Sequence, residues 1–316
     1  MTTGSPGTDP ENTGEGTRGE TRCGFVALLG APNAGKSTLM NAMVGAKVSI
    51  VTPKVQTTRS RILGVTAVDG AQIVFVDTPG IFRPRRRLDR AMVAAAWGGA
   101  ADADAIALLV DAKKGIDGDT RSIVQGLKSA GRKAICVLNK IDTVRRDRLL
   151  TLTDELRSED IFTDFFMISA LTGDGVADLR SALAAMLPSG PWHFPEDQLS
   201  DMNDRLFAAE ITREKLFLNL HQELPYALTV ETETWEPFEN GSVKVEQVIF
   251  VERANQKGIV LGKGGERIKR VRTLAQTELS ELLERQVHLF LFVKVRENWG
   301  EDPERYRDWG LDFGSE

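Results

Sequence analysis

The chain has 316 residues and a net charge of −5, with 27% charged and 41% hydrophobic side chains. At about 100–200 residues per domain this length suggests two domains, and the acidic balance excludes a wholly cationic nucleic-acid coat, leaving a local basic patch as the means of holding phosphates. Cys23 and Cys136, far apart and without metal-ligand spacing, exclude a disulfide framework or a zinc site. No apolar run approaches the ~18 residues that span a bilayer, so a soluble chain is expected, with any contact at the cell membrane peripheral; the cysteine usage fits a reducing cytoplasm, and a monomer is expected.

Residues 1–22 are rich in Gly, Thr, Pro, Asn and Glu and read as a disordered tail. They have neither the apolar core of a secretory signal nor the lack of acids of a transit peptide. From Phe25, apolar runs at 25–29, 73–76, 105–110, 134–138 and 165–168 alternate with helical patterns. Near-continuous apolar strands covered on both faces predict a doubly wound α/β domain over 23–187, with Val176, Leu179, Leu183 and Leu187 on one packed helix face. Pro188, Pro191 and Pro195 break that pattern and predict a linker over 188–202.

The order then changes. Phe207, Ile211 and Leu218 predict one side of a helix, and strands follow at about 226–235 and 243–252, the first with alternating Tyr226, Leu228 and Val230. A short helix, a glycine loop at 262–265, a longer helix with Ile268, Val271, Ala275, Leu279 and Leu282 in a stripe, and a strand alternating from Val287 to Val295 complete an α-β-β-α-α-β domain over 203–300. Residues 301–316 read as a C-terminal tail.

Gly30-Ala31-Pro32-Asn33-Ala34-Gly35-Lys36-Ser37, with Thr38 next, follows a strand and opens a helix. In that setting backbone N–H groups and the helix N-terminus cradle phosphates, Lys36 reaches the β- and γ-phosphates, and the Ser37 hydroxyl ligates Mg²⁺. Asp77-Thr78-Pro79-Gly80 ends a strand at the same sheet edge; Asp77 would hold Mg²⁺ through water and the Gly80 N–H would sense the γ-phosphate. Alone, that tetrapeptide would read as a turn. Thr57-Thr58-Arg59 lies in a polar stretch where a mobile switch would sit, one threonine completing the metal's ligands. Asn139-Lys140-Ile141-Asp142 places a carboxylate able to accept from N1 and the exocyclic amino group of guanine, which adenine does not offer. The nucleotide is therefore expected to be GTP or GDP. Ser169-Ala170 is placed to offer a backbone N–H to the guanine O6.

Taken together, these motifs resemble the Era-like GTPases, and the likeness runs over about residues 22–300. The resemblance implies a Ras-like P-loop GTPase domain followed by a type II KH domain, and a role in maturation of the 30S ribosomal subunit through the 3′ region of small-subunit ribosomal RNA. It implies that Thr58 ligates Mg²⁺, with Thr57 kept as the alternative, and that Asn33 has a part in binding K⁺. Many members carry valine at the place of Ala34, and the N-terminal extension has no counterpart in shorter members. Ile81 stands where Ras-like enzymes orient water with glutamine, so slow intrinsic hydrolysis is expected and no general base is named.

Gly262-Lys263-Gly264-Gly265 between two helical patterns fits the KH clamp on nucleic-acid backbone, with Lys269 and Arg270 among the basic residues of the helix that follows. Of Ile259, Val260 and Leu261 before it, Val260 is expected in the core. Arg83, Arg85, Arg86 and Arg87 read as a solvated loop sooner than as an RNA contact, and Trp299, Tyr306 and Trp309 as packing sooner than base stacking. The leading expectation is a GTP-hydrolysing switch that binds ribosomal RNA; the alternative is a constitutive RNA-binding scaffold with a structural nucleotide.

Overall fold

The computed structural model describes residues 21–54, 57–84, 86–220, 224–302, 306 and 309–312. Most of the expected tail, and Arg85, lie outside the described residues. Two sheets carry the fold. The first runs in the order β2-β3-β1-β4-β5-β6, from β1 (Arg22–Gly30), β2 (Ile62–Val68), β3 (Ala71–Asp77), β4 (Ala105–Asp111), β5 (Ala134–Asn139) and β6 (Phe162–Ile168). Helices α1 (Lys36–Val44) and α5 (Val176–Met186) bury one face, through Leu39, Met40, Met43, Leu179 and Leu183. Helices α2 (Arg87–Asp102), α3 (Gly118–Ser129) and α4 (Arg146–Arg157) bury the other, through Ala96, Ile123, Leu127 and Leu152. The strands from β3 to β6 are parallel and apolar because both faces are covered.

Strand β2 was not foreseen, and it is antiparallel to β3. Its signal is Asp69-Gly70, with φ of 52° and 76°, the pair of positive-φ residues that a two-residue hairpin turn requires. The outer edge of β2 is closed by the proline-rich segment foreseen as a linker. Val65 N–H donates to Leu199 O (2.9 Å) and Ser200 Oγ to Leu63 O (2.8 Å). The buried Gln72 carboxamide accepts from the N–H groups of His193 and Phe194 at 2.9 and 3.0 Å. Covering an edge in this way removes a template for aggregation.

The second sheet, β7-β8-β9, pairs β7 (Leu228–Pro237) antiparallel and β9 (Val287–Val295) parallel to the central β8 (Val243–Val251). Helices α6 (Asp204–Asn219), α7 (Ala254–Leu261) and α8 (Glu266–Leu282) complete the α-β-β-α-α-β order. Their core joins Ala209, Leu216, Val230, Ile249, Val260 and Val271, so Val260 is a core residue as expected. Leu218 is not: it is 48% exposed, and the neighbouring Leu216 and Phe217 take the buried positions. Near the C-terminus, Trp299 is 2% exposed and donates Nε1–H to Ala227 O (3.2 Å). Tyr306 and Leu311 pack on Ala91 and Met92 of α2, a docked arrangement where a tail was expected. No helix among the described residues is long and apolar enough to cross a membrane.

Candidate functional site: a nucleotide cleft and a glycine-loop groove

The carboxyl ends of β1, β3, β4 and β5 deliver the expected motifs to one edge of the first sheet, where ligands bind in open α/β folds. The loop after β1 turns into α1 at Gly35, whose φ of 100° is left-handed. A Cβ there would lie 2.2 Å from Asn139 Nδ2, so the position requires glycine both for its backbone and for its neighbour. Pro32, Asn33, Gly35, Lys36, Ser37, Thr38, Thr58 and Gly80 line a common cleft.

Lys36 is 7% exposed, and its Nζ donates to Gly30 O (3.1 Å) and Ala31 O (3.3 Å). Burial draws its pKa down to about 8, against the opposing pull of Asp77. Asp77 is 0% exposed; burial raises its carboxyl above the usual range even though Lys36 and three hydroxyls pull it down. Its Oδ2 accepts from Ser37 Oγ (2.6 Å), Ser49 Oγ (3.0 Å) and Thr58 Oγ1 (3.4 Å), while Oδ1 is buried without a protein partner. The Ser37 and Thr58 hydroxyls lie 3.0 Å apart. Thr57 also lines the cleft, but its hydroxyl is engaged by Thr52 Oγ1 and Lys54 O at 2.7 and 2.8 Å.

This all-oxygen group with one unsatisfied carboxylate oxygen fits a hard divalent cation. No cluster of three or more His, Cys, Asp or Glu occurs among the described residues. Any such ion would thus be held by one carboxylate, hydroxyls and the phosphates themselves, the manner in which Mg²⁺ is bound beside nucleotides.

Asn139 ties the base side of the cleft to the phosphate side. Its Nδ2 donates to Ala34 O (2.8 Å) and its Oδ1 accepts from Ala170 N–H (3.0 Å). Lys140 Nζ donates to Asn33 O (2.6 Å) and Asp111 Oδ2 (2.7 Å). Asp142 is exposed on the 3₁₀ turn Ile141–Thr143, which begins directly after the residue that Asp111 and the loop hold in place. The Ser169 N–H is engaged by Asp174 O (3.0 Å) and the Ala170 N–H by Asn139. The structure therefore uses both amides to brace the motif, and neither points free toward a base. The Ile81 side chain is buried among Ala27, Leu29 and Ala96 and its N–H donates to Gly30 O (3.2 Å), so it is turned away from the cleft.

Two contributors went unnoticed in the sequence, and a third was expected in a different setting. Asp111 closes β4 as Asp77 closes β3; burial alone would raise its carboxyl, but Lys140 and the N–H groups of Lys113 and Lys114 outweigh that and hold it below the usual range. Its place at a strand's carboxyl end was a readable signal. Ser49 is set by Asn41, which accepts from the N–H groups of Val48 and Ser49 at 3.0 Å, and no local pattern marks it. Arg59 was expected on a mobile polar stretch but is 3% exposed, donating to Leu228 O (2.8 Å) and Pro225 O (3.3 Å). Burial takes it down to about 9, and it stays cationic at neutral pH.

In the second half of the chain, Gly262, Lys263, Glu266, Arg267 and Arg270 line an open groove together with Leu218 and Asn219 of α6. Gly262, Gly264 and Gly265 all have left-handed φ, of 73°, 60° and 80°. A Cβ on Gly262 would meet Arg267 Cβ at 2.8 Å. Lys263, Lys269 and Arg270 are exposed and have no ion pair among the described residues. Of the arginine run, Arg83 and Arg86 are exposed, while Arg87 reaches Glu301 at 3.9 Å.

A family model described as a 50S ribosome-binding GTPase matches residues 25–140, and a KH domain model matches residues 223–300. The chain is 64% identical to the GTPase Era of Sinorhizobium medicae, over 93% of this chain and 94% of that one. It is 60% identical to that of Agrobacterium fabrum, over 97% and 98%. Two solved structures superpose with a TM-score of 0.87 at 38% identity, covering 92% of this chain and 99% of theirs: Aquifex aeolicus Era bound to GDP and AlF4⁻, and Era with MgGDPNP and nucleotides 1506–1542 of 16S ribosomal RNA. On the shared motifs, the two-domain order and this identity along nearly the whole chain, the protein belongs to the Era family of GTPases.

Proposed function

We propose that the protein is a GTP-operated switch that grips the 3′ region of 16S ribosomal RNA with its glycine loop, assists 30S subunit maturation in the cytoplasm as a monomer, and lets go after hydrolysis. The observation that carries this reading is the convergence of Ser37, Thr58 and Asp77 from three separate segments on one point beside Lys36. The relatives' names and the RNA-bound relative support the RNA half.

In this reading Asp142 accepts two hydrogen bonds from the guanine edge and so selects the base. Lys36 and the amides of the loop carry the phosphate charge, and the N–H of Gly80 follows the γ-phosphate. Ser37, Thr58 and Asp77 would hold Mg²⁺, which would supply neutralisation of phosphate charge. The Asn33 side chain donates to Pro53 O (3.0 Å), which leaves its oxygen for K⁺; a higher rate in K⁺ than in Na⁺ buffer checks that step. With Ile81 in the core, the side chain directly after Gly80 does not orient the attacking water, and catalysis rests on positioning and charge, so turnover is slow.

Ile81 also favours the second reading, a constitutive RNA-binding scaffold with a structural nucleotide. RNA affinity measured with a non-hydrolysable GTP analogue and with GDP separates the two. A switch needs differential affinity, expected here at about tenfold or more; equal affinities would establish the scaffold.

A further inference from the structure

Helix α6 belongs to the RNA-binding half, yet it holds the segment that carries Thr58. Glu214, 3% exposed, accepts from Lys47 Nζ (2.7 Å) and from the Val51 N–H (2.9 Å). Ile50, 1% exposed, is buried among Ala208 and Ile211 of α6. Lys54 Nζ donates to Leu220 O just past the helix. Arg213, 2% exposed, donates to the Thr57 carbonyl. Its guanidinium is fixed in turn by Glu210, which accepts from Nε at 2.8 Å and from Nη2, a fork geometry that leaves little freedom. The Thr57 carbonyl belongs to the planar peptide leading into Thr58, so its placement sets where the Thr58 hydroxyl lies relative to Ser37 and Asp77.

We propose that Arg213 is a positioning residue for GTP hydrolysis, acting through the Thr57 carbonyl to hold the Thr58 hydroxyl at the Ser37–Asp77 cluster. This rests on the reading of the cleft as the site of hydrolysis. It also gives the two halves a shared part. The last turn of the same helix, Leu218 and Asn219, lines the groove of Gly262, Lys263 and Arg270, so RNA seated there bears on the helix that orders Thr58.

The test uses the full chain with Arg213→Met, Arg213→Lys and Glu210→Gln. Single-turnover hydrolysis, the Mg²⁺ concentration giving half the maximal rate, affinity for a fluorescent GDP and the thermal midpoint are read together. In Arg213→Met, hydrolysis falls about tenfold or more, as for loss of a hydrogen bond from a charged donor, and the Mg²⁺ requirement rises. Arg213→Lys recovers part of the rate. GDP affinity stays within about twofold, because Lys36, the loop and Asp142 are untouched.

Unchanged hydrolysis and Mg²⁺ requirement in folded Arg213→Met would overturn the assignment, as would a parallel loss of GDP affinity, which signals general loosening. Should Arg213→Met fail to fold, Glu210→Gln decides by the same criteria with a smaller expected loss. A parent chain that does not hydrolyse GTP defeats the reading of the cleft itself; an active parent with indistinguishable variants defeats only the role of Arg213.

Discussion

Lys36 and Asp77 in the nucleotide cleft are 7% and 0% exposed and are bonded within the protein, whereas Lys263, Lys269 and Arg270 around the glycine loop stand exposed. Both sets are suited to phosphates, but they differ in what the protein has fixed beforehand. In the cleft, hydroxyls, amides and carboxylates hold one another in place, so a ligand meets oriented groups in a poorly screened interior. Around the loop the backbone is shaped by glycines while the cations stand exposed to water, which supplies a favourable potential without a single geometry. A buried frame discriminates; an exposed one attracts phosphate in many arrangements and weakens with salt.

The largest effect expected from this contrast is at Asp142. It is exposed, but the Asn139 and Lys140 bonds on its N-terminal side fix the turn that presents it. Asp142→Asn replaces an acceptor-only group by one that also donates, mismatching guanine and suiting xanthine. GTP affinity should drop by about a hundredfold or more while XTP gains, as for loss of a paired charged contact. Calorimetry with both nucleotides reads it, and retained GTP preference would show that Asp142 does not contact the guanine edge.

The same contrast explains what could be read in the sequence. The cleft's first partners are short motifs in which chain geometry brings the groups together, so Gly35, Lys36 and Ser37 announce themselves, and the α-β-β-α-α-β order follows from periodicity. What escaped depends on distant contacts. Whether Thr57 or Thr58 places its hydroxyl among the metal-binding oxygens depends on how residues 47–54 and 57–59 dock on α6, including the burial of Ile50 among Ala208 and Ile211. Leu218 has the spacing of a buried residue, yet the helix's buried face has shifted to Leu216 and Phe217 at that turn. Strand β2 was missed because residues 62–68 mix glycine and threonine with apolar residues, although Asp69-Gly70 marked its turn.

The next largest effect lies at the loop. Lys263→Asp together with Gly264→Asp places two negative charges where the RNA backbone would pass, and binding at moderate salt should weaken by tens of fold, roughly 2 kcal/mol, with a shallower dependence of affinity on salt. Both positions are exposed, and aspartate tolerates the left-handed φ of 60° at Gly264 better than most side chains, so the thermal midpoint should fall only slightly and GTP affinity not at all. Filter binding over a salt series measures this. RNA binding that survives unchanged would remove the loop from the interface and end the comparison.

The smallest effect is the sharpest test of whether the cleft's internal bonding contributes to affinity. Asp111 touches no predicted ligand atom; it holds Lys140 Nζ at 2.7 Å and accepts from Lys113 N–H at 2.9 Å. Asp111→Asn keeps the size and an acceptor for the amides but removes the charge that steadies Lys140. Because the Lys140 side chain is 34% exposed, water screens part of the loss. Nucleotide affinity should therefore fall only about fivefold, near 1 kcal/mol, equally for GTP and GDP, since the brace serves the base side and not the γ-phosphate. Titration with both nucleotides checks it: a loss confined to GTP would place Asp111 in the hydrolytic machinery, and no loss would mean that Asn33 O and Asn139 hold this edge without it.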